Sequence, residues 1–132
     1  MHIAQRVIFT IVLVSLAYTG YAQPGECSNY FKKTGQHYFM ESEYQKALYN
    51  FRAMETCSSY QEDSMNMYVE KTENAIQYKG KAEKLFEAKK YDRARKFYKQ
   101  VSEINPQDKY VIARQKDCEI FSEPVPEGMA LV

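Results

Sequence analysis

Residues 81–108 read KAEKLFEAKKYDRARKFYKQVSEINPQD, and their spacing decides the fold. Ala82 and Ala94 are small residues twelve apart, Tyr91 stands between them, and Pro106 follows twelve after the second alanine. A lone amphipathic helix requires no such fixed points. Two antiparallel helices joined by a tight turn do. A small residue on each helix lets the backbones close up, and an aromatic at the start of the second plugs the turn end. Pro106 then stops the second helix, because the residue before proline is pushed out of the helical region. The stretch predicts a helical hairpin with Ala82 against Ala94.

The same hairpin occurs earlier in the chain. A shift of 47 residues lays Gly35 on Ala82, Tyr44 on Tyr91, Ala47 on Ala94 and Phe51 on Tyr98. It also lays Phe31 on Tyr78, Tyr38 on Leu85 and Phe39 on Phe86, which is an internal repeat. Glu41-Ser42-Glu43 is the tight connection of the first hairpin, and Cys57-Ser58-Ser59 ends its second helix. From Gln61 to Lys89 there is no strong stop. Met65, Tyr68, Thr72, Ala75, Tyr78, Ala82 and Leu85 follow at steps of three and four. This predicts one long middle helix of about 43 Å. Gly80 weakens it by about 1 kcal/mol relative to alanine, so a bend there is one expectation. Residues 107–121 supply a closing helix, and FSEPVPEGMALV leaves the helical pattern. A coiled coil is the competing all-helical arrangement, but it requires sustained heptads, which the chain lacks.

This spacing resembles the tetratricopeptide repeat. Residues 28–59 match it with Phe31, Gly35, Tyr38, Tyr44, Ala47 and Phe51. Residues 75–106 match it with Tyr78, Ala82, Leu85, Tyr91, Ala94, Tyr98 and Pro106. The chain departs from the family in three respects. Ser59 stands where proline is usual, the units lie 47 apart rather than the family's 34, and only two clear units are present. The extra residues fall in the long middle helix, which caps the first hairpin and then opens the second. The resemblance implies an all-α fold: about five helices, in TPR-like hairpins, forming a short right-handed α-solenoid over residues 23–121.

The amino terminus is read separately. Residues 1–22 carry Arg6 ahead of an apolar run from Val7 to Ala17 and end in Gly20-Tyr21-Ala22, the pattern of a cleaved secretory signal. The alternative, an uncleaved membrane anchor, meets an apolar run shorter than the ~20 residues that span a bilayer. Removal of the signal leaves 17 basic and 17 acidic residues. A neutral chain lacks the electrostatic footprint for a nucleic-acid backbone. The expectation is an exported protein, periplasmic or extracellular, with no membrane insertion after cleavage.

Export places Cys27, Cys57 and Cys118 in an oxidising compartment. The first turn centres near Ser42, with Cys27 and Cys57 each fifteen residues away, side by side at the open end of the hairpin. Two readings remain: a Cys27–Cys57 disulfide, which the compartment favours, or two small buried thiols. Cys118 is left single.

Little in the chain suggests chemistry. His37 is the one histidine beyond the signal and has no metal-ligand spacing around it. No glycine-rich phosphate loop or nucleophile elbow occurs, and the expectation is a non-enzyme with no cofactor or metal. The resemblance implies instead that the first helices of the hairpins line a concave face that holds a protein or peptide partner. On this chain that face carries Asn29, Lys32, Lys33, Gln36, Phe39 and Met40, then Ile76, Lys79, Gly80, Glu83, Phe86 and Glu87. Phe39, Met40 and Phe86 would be apolar anchors, or Phe39 and Phe86 simply core. A second resemblance lies in residues 122–132, read as a flexible tail or the start of a truncated second domain. PEGMALV is similar to the opening strand of formylglycine-generating (sulfatase-modifying) domains. That resemblance implies a non-catalytic amino-terminal scaffold for a longer protein.

Overall fold

The protein is described from a computed structural model that covers residues 25–57 and 62–124. Five α-helices follow one another: α1 Glu26–Met40, α2 Tyr44–Ala53, α3 Glu62–Glu87, α4 Tyr91–Ile104 and α5 Lys109–Ser122. A short 3-10 turn, Met54–Thr56, extends α2 before Cys57. All regular structure among the described residues is helical, as the three- and four-residue spacing predicts. Each helix packs on the next, giving an all-α fold of helical hairpins. The middle helix, α3, has 26 residues and runs helical through Gly80, a length of about 39 Å. It packs against both α2 and α4, so it closes the first hairpin and opens the second.

The 47-residue repeat is three-dimensional. Ser42 and Lys89, 47 apart, both take left-handed backbone conformations, with φ of 62° and 60°. In the first turn, Ser42 N donates to Phe39 O at 3.0 Å and Glu43 N donates to Tyr38 O at 2.9 Å. In the second, Lys89 N donates to Phe86 O and Lys90 N to Leu85 O, both at 2.9 Å. This paired bonding satisfies the last carbonyls of a helix and reverses the chain at once. Glycine is the usual residue at the left-handed position, because a Cβ there crowds the backbone. Serine and lysine in these two places explain why the turns carry no glycine signal in the sequence.

Packing also repeats. Phe39 meets Tyr44 edge-on at 5.4 Å between ring centroids, and Phe86 meets Tyr91 edge-on at 5.3 Å. Ala47, Ala82 and Ala94 are fully buried, as close helix approach requires. Gly35 is buried beneath Phe51, and a Cβ built on it would stand 2.6 Å from that ring. Phe51 in turn stacks on Tyr68 of α3 at 4.9 Å. Tyr98, Val101, Val111 and Cys118 continue the core through α4 and α5.

Asn105 leaves α4 in an extended conformation, φ −133° and ψ 92°, as a residue preceding proline should. α5 starts at Lys109 under an Asp108 cap and runs to Ser122, one residue beyond the predicted closing helix. Cys27 and Cys57 are bonded, with Cα atoms 5.7 Å apart, joining the start of α1 to the end of the 3-10 turn. Cys118 is free and buried, and burial pushes its thiol pKa up. Residues 1–22, the expected signal segment, and the PEGMALV stretch at 126–132 lie outside the described residues. No helix among the described residues is long and apolar enough to cross a membrane.

Candidate functional site

The two hairpins are tied together by a buried polar cluster. Tyr44, at the start of α2, donates its hydroxyl hydrogen to Asp108 Oδ2 at 2.7 Å. Asp108 is fully buried and its Oδ1 accepts from Val111 N, capping α5. Lys79 of α3 pairs with Asp108 Oδ2 at 3.2 Å and lies between the rings of Tyr44 and Tyr110, 5.2 and 5.0 Å from their centroids. Asn105 donates from Nδ2 to Phe39 O at 2.8 Å and to the Tyr44 hydroxyl at 3.2 Å. A buried carboxylate requires several donors to persist as a charge. Here a phenol, an ammonium and a backbone amide supply them. Burial raises the Tyr44 pKa first, and the adjoining Asp108 carboxylate raises it further.

This cluster fixes the α4–α5 loop against the end of α1 and so builds the wall of a cleft. The cleft, about 460 Å³, lies between α1 and the first half of α3. Its apolar surface comes from Phe39, Met40, Tyr68, Ile104 and Pro106. Gln36 donates to the Tyr68 hydroxyl at 2.9 Å across it. Lys71 overhangs the Phe39 ring at 5.1 Å, and Lys32 overhangs Tyr68 at 5.7 Å. A second, more open cleft of about 620 Å³ runs between the first turn and α3, where Lys46, Ile76, Gly80 and Glu83 face it. No atom of the described residues stands within 4 Å of where a Cβ on Gly80 would be. Packing therefore does not require glycine there.

The structure divides the expected partner face. Gln36, Phe39 and Met40 share the α1–α3 cleft, with Lys32 at its margin. Phe39 is 9 % exposed and belongs to the core as well as to the cleft surface, whereas Met40 is 50 % exposed. Ile76, Lys79, Gly80 and Glu83 line the other cleft. Lys79 is engaged by Asp108 rather than standing as a rim charge. Phe86 packs on Tyr91, Tyr98 and Phe121, and the Arg114 guanidinium covers its ring at 4.2 Å, so it serves the core. Asn29, Lys33 and Glu87 are exposed and line neither cleft.

Sequence reasoning missed Tyr68, Lys71, Asn105, Gln107 and Asp108. Tyr68 was visible as a stripe residue of the middle helix. Asp108, two residues after Pro106, carries a cap signal: an acid before a helix with an apolar residue three further on. Among the described residues, Glu83 Oε1 and the Tyr98 hydroxyl are buried without a hydrogen-bond partner, and burial, then the Glu83 carboxylate, raises the Tyr98 pKa. No protein-family model, curated protein or solved structure matches the chain.

Proposed function

We propose that this protein is an exported docking module of the tetratricopeptide type, which holds a segment of a partner protein on the face formed by α1 and α3. The observation that carries the reading is the α1–α3 cleft. It presents apolar and aromatic surface beside an exposed methionine, Met40, and two lysines that form no ion pair among the described residues, Lys32 and Lys71. Grooves that take peptide segments combine apolar anchoring surface with polar groups at the margin that fix orientation. The buried cluster holds the wall of this cleft in place before any partner arrives, which lowers the ordering cost of binding. The two repeated turns support the tetratricopeptide part of the reading. Export is carried by the signal pattern in residues 1–22.

A photo-crosslinking residue placed at Met40 or Lys71 in cells that make the protein tests this reading. The expected result is a discrete crosslinked partner from both positions and none from Tyr49, which is 74 % exposed on α2 and away from the cleft. Equal, diffuse crosslinking from all three positions would remove the assignment.

A further inference from the structure

The α1–α3 cleft has a chemical bias in its unused hydrogen-bonding groups. Asn105 spends its amide on Phe39 O and the Tyr44 hydroxyl. Thr72 spends its hydroxyl on Tyr68 O at 2.7 Å. Gln36 donates to the Tyr68 oxygen, which leaves the Tyr68 hydroxyl hydrogen free to donate elsewhere. Lys71 contributes an ammonium with no carboxylate partner among the described residues, and Gln107 contributes a side-chain amide. No aspartate or glutamate among the described residues lines the cleft. The free groups are chiefly donors, one of them cationic, set beside apolar surface from Phe39, Met40 and Ile104.

From this we infer that the anchor of the docked segment is a large apolar side chain with a carboxylate side chain next to it, the apolar group entering between Phe39 and Tyr68 and the carboxylate meeting Lys71. This rests on the docking reading and adds to it the chemistry of the occupant. A basic segment is disfavoured, because it would bring like charge to Lys71 and Lys32 and find no acceptor carboxylate. The acid need not be a chain terminus, since a single ammonium and two neutral donors ask only for one carboxylate.

Three blocked dipeptides separate these outcomes: N-acetyl-phenylalanyl-aspartyl amide and its asparaginyl and lysyl counterparts. Each is titrated into the isotope-labelled protein while backbone amide resonances are followed. The aspartyl peptide is expected to give saturable shifts at Gln36, Tyr68, Lys71 and Gln107. The asparaginyl peptide should bind about 1.4- to 5-fold more weakly, the range for losing one exposed charge contact, and the lysyl peptide more weakly still. Lys71→Met should erase the preference for aspartyl over asparaginyl while leaving the circular dichroism of the protein unchanged. Equal affinity for all three peptides, or saturable shifts confined to residues outside the cleft, would overturn the inference. If no peptide binds there but Met40 and Lys71 still crosslink a discrete partner, this inference fails and the docking reading stands. If both experiments fail, so do both readings.

Discussion

Replacing Tyr44 by phenylalanine removes one oxygen from the middle of the buried cluster and little else. The ring still packs against Phe39, whose centroid is 5.4 Å away. What disappears is the 2.7 Å donation to Asp108 Oδ2 and the 3.2 Å acceptance from Asn105 Nδ2. Asn105 keeps its bond to Phe39 O, so its loss is small. Asp108 loses more. It is fully buried and is left with Lys79 and Val111 N. A hydrogen bond to a charged group contributes about 1.5–3 kcal/mol, so Tyr44→Phe should destabilise the fold by about 2 kcal/mol. In a domain of this size that lowers the melting temperature by roughly 8–16 °C. Urea unfolding followed by far-ultraviolet circular dichroism measures it directly. A double-mutant cycle with Asp108→Asn should return a coupling of about 1 kcal/mol or more, since the two groups touch. A Tyr44→Phe loss below about 0.5 kcal/mol, the size of an ordinary surface change, would refute the claim that this cluster joins the hairpins.

The two helix glycines should respond with opposite sign. Gly35→Ala forces a Cβ into the Phe51 ring, which is pinned by Tyr68, and overpacking of this kind costs about 1–3 kcal/mol. Gly80→Ala meets open space and should stabilise by about 1 kcal/mol, read by thermal melting. Lys89→Gly relieves a left-handed backbone at φ 60° and should also stabilise, by roughly 1 kcal/mol in urea. Opening the Cys27–Cys57 bridge by a paired change to serine releases a loop of 30-residue separation and should cost on the order of 3–4 kcal/mol. In pH titration the signs follow from Tyr44 and Tyr98, both raised above the ordinary 10.0. Their protonated forms are favoured in the folded state. That stability is whole below pH 10.0 and is lost progressively above it, as unfolded tyrosine ionises while the folded phenols hold their protons. Stability should therefore fall steeply above about pH 10, and Tyr98→Phe should flatten the fall.

Helix identity, hairpin pairing and the repeat were legible because each depends on residues close in sequence. Spacing of three and four places Tyr91, Ala94, Tyr98 and Val101 on one side of a helix whatever surrounds it. Pro106 ends that helix for a steric reason internal to the chain. Local pattern also put Gly35 where a side chain would collide, though not that Phe51 was the neighbour.

The two equivalent tyrosines mark where such reasoning stops. Tyr44 and Tyr91 occupy the same place in the repeat and meet the same kind of phenylalanine edge-on. Yet Tyr44 is buried and bonded to Asp108, 64 residues away, while Tyr91 remains half-buried against Phe121. Among the described residues, the first hairpin has the α4–α5 loop laid over its turn, and the second has the end of α5. The same contrast governs Lys79, a surface lysine by pattern, which the fold aims at the Asp108 carboxylate in the α4–α5 loop. Sequence alone thus determined which segments are helical, where they reverse and which small residues let them approach, since short-range sterics and periodic burial act within one turn or one hairpin. Tertiary structure alone decided which polar groups are shielded from water and which remain free, because desolvation depends on atoms brought together from distant parts of the chain.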